Sequence, residues 1–200
     1  IYQAHYKFFE EKIPKNEYLI LLNNINFTDD QNKLTFGYRE GFSDNNFSVV
    51  ASNAAFDEEF AHVIAHEHLH NWLGKKIAYE DNENRYNMAF FIEGFTDYYS
   101  FYLNYLYGSW SEDKYIENYN KCLKDYFNNP FHAITNEIIK DNFFIDSANK
   151  IVYLRGRIIA NELNVELQKH TKYDLDFYIK TLIKNIDNNN EIEVNMESLI

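Results

Sequence analysis

The chain has 200 residues, a formal net charge of −12 and a pI near 5.0. That balance argues against nucleic acid or an anionic membrane surface as a partner, since either calls for a basic patch. The hydrophobic fraction of 46% suits one globular domain, and 17 Tyr with 17 Phe allow a large core to be buried.

Cys122 is the single cysteine, so no internal disulfide forms. No apolar run approaches the roughly twenty residues that span a bilayer. The opening stretch is charged and amphipathic rather than a signal peptide. Because the sequence starts without Met and stops at Ile200 in mid-pattern, a fragment of a longer protein with missing flanking domains is expected.

In chain order, residues 1–12 predict a short amphipathic helix, with Tyr2, Tyr6, Phe9 and Ile13 on one side and Pro14 as its stop. Three apolar runs of strand length follow, at 18–22, 34–38 and 47–51, separated by turn-prone Asn, Gly, Ser and Asp. A small sheet is therefore expected before residue 55. Residues 57–73 predict a helix capped by Asp57, with Glu58 and Glu59 at its start and Gly74, Lys75 and Lys76 at its end. Phe56, Phe60, Val63, Ile64 and Leu69 are its expected buried contacts. The polar stretch 79–87 reads as a surface loop, and 88–107 as an aromatic helix stopped by Gly108.

Ser109 and Glu112 have the spacing of a capping box opening a helix to about residue 127, ended by Asn128-Asn129-Pro130. Residues 131–145 read as loop with short helical turns, and 147–171 as a long helix. Asp174 is placed to cap a last helix to about residue 186, with 187–190 as a linker.

The chemistry concentrates at His66-Glu67-His68-Leu69-His70. On a helix, residues four apart share a face, so His66 and His70 can grip one cation. Glu67, roughly 100° round the same helix, is too far round to be a ligand but can reach a water on the metal. H-E-x-x-H on a helix is the pattern of zinc hydrolases with Glu as general base.

Catalytic zinc takes three protein ligands and keeps one open position. Glu93 is the expected third ligand, because it interrupts the apolar run Met88-Ala89-Phe90-Phe91-Ile92, where a lone carboxylate is costly unless paired. Asp97, one turn on, can accept a hydrogen bond from a ligand histidine and fix its tautomer. The third histidine of metzincin spacing is absent, since Lys76 and Ile77 stand there. His62 and His68 read as surface or packing residues. A structural zinc is the weaker reading, because such sites prefer four closed ligands and rarely use Glu.

Three blocks, His-Glu-His-Leu-His-Asn-Trp-Leu-Gly-Lys-Lys-Ile (66–77), Phe-Ile-Glu-Gly-Phe-Thr-Asp-Tyr (91–98) and Tyr-Leu-Arg-Gly (153–156), resemble in order the signature blocks of gluzincin aminopeptidases, and most closely the glycyl aminopeptidase family. The resemblance runs from about residue 6 to 186. It implies an α+β, mainly helical, thermolysin-like gluzincin catalytic domain, with a small N-terminal sheet packed on a helical lobe. Residues 1–55 would be the β-rich part and 56–186 the helical lobe of one domain.

Carried over by position, the resemblance makes His66, His70 and Glu93 ligands of one zinc and Glu67 the general base. Tyr153 becomes the hydroxyl that stabilises the transition state. The expected activity is aminopeptidase-like cleavage of peptides, with an endopeptidase or an inactive peptide-binding module of the same fold as alternatives. The family's amine-anchoring Glu falls on Glu40 in one register and on Ser43 in another, where Asp44 or Glu40 would have to substitute.

Overall fold

The computed structural model describes residues 1–14, 19–24, 35–38, 46–51, 58–77, 88–142 and 145–189, without the side chains of 19–24, 35–38, 46–51, 58, 59, 137, 140 and 189. Two compact units divide the chain, Ile1–Asn71 and Trp72–Ile200.

In the first unit, α1 (Tyr2–Phe8) is shorter than the sequence predicts. It stops well before Pro14, because Glu10 turns left-handed at φ 58°. The amides of Glu10 and Glu11 then donate back to the carbonyls of Lys7 and Tyr6, satisfying groups a helix end leaves orphaned. The buried face of α1 carries His5, Tyr6 and Phe8, followed by buried Phe9.

Three strands follow, β1 (Leu19–Asn24), β2 (Thr35–Tyr38) and β3 (Asn46–Ala51). Their order is β1-β3-β2, with β1 parallel and β2 antiparallel to β3. The helix α2 (Glu58–Leu73) comes next. It buries Phe60, Ala65 and Leu69, with Trp72 and Leu73 buried beyond the unit boundary, while Val63 and Ile64 are half-buried. Asp57, its expected cap, and Phe56 lie outside the described residues, as does the expected loop at 79–87.

The expected fold class is corrected. Of the residues described with their side chains, 77% are helical and none lies in a sheet, so that part is helical and does not support the α+β class. The three apolar runs at 19–51 do fall on β1–β3, but those strands are backbone ladders, and packing of a sheet on a lobe does not follow from them. Run length and β-branched content locate strands, whereas a fold class is decided by which side chains form the core.

In the second unit, α3 (Ala89–Leu106) ends at Gly108, whose φ of 77° lets Gly108 and Ser109 donate back to the Tyr105 and Asn104 carbonyls. The helix α4 (Glu112–Asn128) is capped by Ser111, whose Oγ accepts from the Lys114 amide at 3.2 Å. The capping box expected from Ser109 is thus displaced by two residues, because Gly108 and Ser109 are used to close α3. After α5 (Asn136–Asp141), a single turn within the expected loop, α6 runs over Asp146–His170. The last helix, α7 (Leu175–Asn189), is capped as expected by Asp174, whose Oδ1 accepts from the Phe177 amide at 2.9 Å. It absorbs residues 187–189, which read as linker in the sequence.

The most extensive helix pair is α3 against α6. Its cause is local: Gly94 and Gly156 meet at the crossing. A Cβ on Gly156 would lie 2.7 Å from Gly94 Cα and inside contact with the Phe90 carbonyl, and a Cβ on Gly94 would meet Gly156 backbone equally closely. Two side-chain-free positions let the backbones approach where any other residue would hold them apart. Around this crossing a core of Ala89, Cys122, Ile139, Ile151, Val152 and Leu154 forms, with Phe90 and Tyr153 packed on it.

Candidate metal centre

His66 and His70 lie one turn apart on α2. Their Nε2 atoms are 3.1 Å apart, with the rings edge to face at 4.7 Å between centroids. Two imidazole nitrogens held at about 2.0–2.1 Å on a tetrahedral zinc sit about 3.3 Å apart, so the pair has the spacing that shared ligation needs. His66 is buried and His70 half-buried. Glu67 follows His66 directly and is only 9% exposed. His62, a turn earlier, meets the His66 ring edge-on at 6.1 Å.

His68 faces away from the His66–His70 pair, since two residues of helix turn it by about 200°. It is buried, and its Nδ1 lies 2.7 Å from Nδ1 of His5. The packing role expected of His68 is thus met, whereas its partner was hidden in sequence. His5 sits 63 residues upstream, on a helix whose stripe in the sequence is Tyr2, Tyr6, Phe9 and Ile13.

Glu93 lies in the first half of α3, beside Gly94, and is half-buried. Among the described residues, His66, His70 and Glu93 each offer one ligand atom, and these atoms lie within 4.8 Å of one another. Two imidazoles and a carboxylate are a donor set that fits zinc with a fourth position open. This group could hold a metal ion.

Asp97 is half-buried one turn beyond Glu93, and its backbone carbonyl accepts from Ser100 Oγ at 2.7 Å. Tyr153 is half-buried on α6, three residues before Gly156 at the crossing. Glu40, Ser43 and Asp44 lie outside the described residues.

The Arg-Gly pair after Tyr153 has a structural explanation. Arg155 donates to Asn136 Oδ1 at 2.5 Å and to the carbonyl of Ile134 at 2.6 Å, with longer bonds to those of Phe131 and His132. One guanidinium thereby gathers the turn that carries the chain from α4 to α5. Arg157 is buried with its guanidinium carbon 3.7 Å from the Phe101 ring centroid, a cation–π contact. Beyond Asp97, α3 presents a wall of tyrosines. Burial raises the hydroxyls of Tyr98 and Tyr99, and lifts that of Tyr102 to about 12. Buried Cys122 is pushed up to about 11, again chiefly by burial, which keeps it a thiol rather than a nucleophile.

No helix among the described residues is long and apolar enough to cross a membrane. Residues 59–138 match the family model described as M61 glycyl aminopeptidase. No curated protein matches the chain. A crystal structure of an aminopeptidase N family protein from Idiomarina loihiensis shares its fold, with a TM-score of 0.74 at 17% identity, over 99% of this chain and 37% of that one. This chain therefore spans little more than a third of that protein's length. Over residues 59–138, which hold both the H-E-x-x-H helix and the Glu93-Gly94 pair, the chain resembles the M61 glycyl aminopeptidases, as its sequence blocks imply.

Proposed function

We propose that this chain is the metal-holding part of a zinc peptidase of the aminopeptidase type, with peptides as substrate. The observation that carries the reading is the pair of Nε2 atoms 3.1 Å apart on α2, with buried Glu67 directly after the first. In this reading His66, His70 and Glu93 are the ligands. Zinc, when bound, would lower the pKa of a water towards neutrality and polarise the scissile carbonyl.

The chain's own residues do the rest. Glu67 accepts the proton of the attacking water and hands it to the departing amine nitrogen. Tyr153 donates its hydroxyl to the oxygen on which negative charge develops, a preorganised contact of the kind worth about 3 kcal/mol. Asp97 accepts a hydrogen bond from the ring nitrogen a ligand histidine leaves free. Glu40 holds the substrate's free amine.

The test is a mixed peptide pool incubated with the purified, zinc-loaded chain, followed by mass spectrometry of the products. Stepwise loss of N-terminal residues supports the aminopeptidase reading. Internal cuts would make it an endopeptidase, and an inert pool would leave a peptide-binding module without hydrolysis.

A further inference from the structure

Behind the ligand face of α2 lies a buried contact that metal ligation does not use. His5 of α1 and His68 of α2 are each 2% exposed, with Nδ1 atoms 2.7 Å apart and rings 4.9 Å apart. At that distance one ring donates its Nδ1–H and the other accepts at a bare Nδ1, so the pair fixes complementary tautomers. Tyr2 and Tyr6, on the same face of α1 as His5, close round the His68 ring at 5.0 and 5.8 Å. One short helix thus surrounds one side chain of the H-E-H-L-H segment.

His68 stands midway between the two ligand histidines in sequence, and about 200° round the helix from each. Whatever holds His68 fixes the rotation of α2 about its own axis, and hence where His66 and His70 aim. A ligand nitrogen lies roughly 6–7 Å from that axis, so a 10° rotation moves it by about 1 Å, against a tolerance near 0.2 Å in metal–ligand distance.

We propose that His5 is a positioning residue for the metal centre: through the buried Nδ1–Nδ1 hydrogen bond to His68 it sets the rotation of the ligand helix. The assignment rests on His66 and His70 being zinc ligands. A packing contact alone would tolerate an aromatic of similar size in place of His5; a hydrogen bond that orients the helix would not.

The experiment compares wild type with His5→Phe and His5→Asn, the amide of Asn offering a hydrogen-bonding atom where Nδ1 stood. Zinc affinity is read by chelator competition, ligand geometry by the visible absorption of the cobalt-substituted protein, and folding by circular dichroism. H5F is expected to bind zinc roughly tenfold more weakly, the lower end of losses from disturbing the shell behind metal ligands. Its cobalt bands should shift, and H5N should recover both. Wild-type affinity and spectrum in H5F would overturn the proposal, as would an H5N no better than H5F while both stay folded. Should H5F unfold, H5N decides alone: wild-type bands support the hydrogen bond, and shifted bands in a folded H5N overturn it. Failure of the underlying reading would look different, because the wild type itself would then bind neither ion at the histidines.

Discussion

Glu67 and Tyr153 differ in what removing one atom group should cost. Glu67→Gln keeps the shape and burial of the side chain but cannot take a proton. Turnover should fall roughly a hundred- to ten-thousand-fold with zinc content unchanged, checked by peptide hydrolysis beside metal analysis. Near-normal hydrolysis would remove Glu67 as the base. Tyr153→Phe deletes one hydroxyl from a half-buried ring packed on the core around Ile151 and Leu154. A loss near a hundredfold in kcat, with zinc retained and melting temperature unmoved, marks that hydroxyl as the oxyanion donor. An unchanged rate returns Tyr153 to packing. The candidate group His66, His70 and Glu93 was legible in sequence because its signals are local: a spacing of four on α2 and a carboxylate inside an apolar run on α3. The partner of His68 was not, since nothing in a one-dimensional pattern links residue 5 to residue 68.

At the level of the elements, the α3–α6 crossing does most to fix the turns that carry Glu93 and Tyr153. Gly156→Ala places a methyl against the Phe90 carbonyl and Gly94 backbone, neither of which can rotate aside. Overpacking of this kind costs about 3 kcal/mol, or a melting temperature lower by about 6–12 °C for a chain of this size, measurable by thermal denaturation. A change under 1 °C would show that the helices part without penalty. Sequence blocks held these glycines only as members of a resemblance; their physical cause is the backbone contact between two helices 62 residues apart. Helix ends show the same limit. Gly108 was readable as a stop because glycine adopts φ of 77° freely. The end of α1 was not, because Glu10 takes a left-handed conformation that a charged residue seldom adopts. Three strands were found near their places, yet the class drawn from them was wrong, because apolar runs do not reveal how much of the packed core is helical.

For the molecule as a whole, pH dependence follows from His5. Burial, and next the His68 ring, holds its imidazole well below the ordinary histidine value. A depressed folded-state pKa means that the unfolded chain takes up the proton first as pH falls. The stabilisation is therefore complete above about pH 6.5 and drains away below it. Denaturant unfolding between pH 7.5 and 5 should show wild-type stability falling, with a shallower slope in H5N, which has no imidazole to protonate. Parallel slopes would deny that His5 titrates in this way.

The outcomes for Glu67 and Tyr153 presuppose one ion on three side chains, and diffraction at the zinc absorption edge from crystals of the zinc-loaded protein addresses that directly. The account predicts a single strong anomalous peak within about 2.0–2.2 Å of a ring nitrogen of His66, one of His70 and a carboxylate oxygen of Glu93. A peak elsewhere, or one touching the histidines with Glu93 turned away, would contradict it.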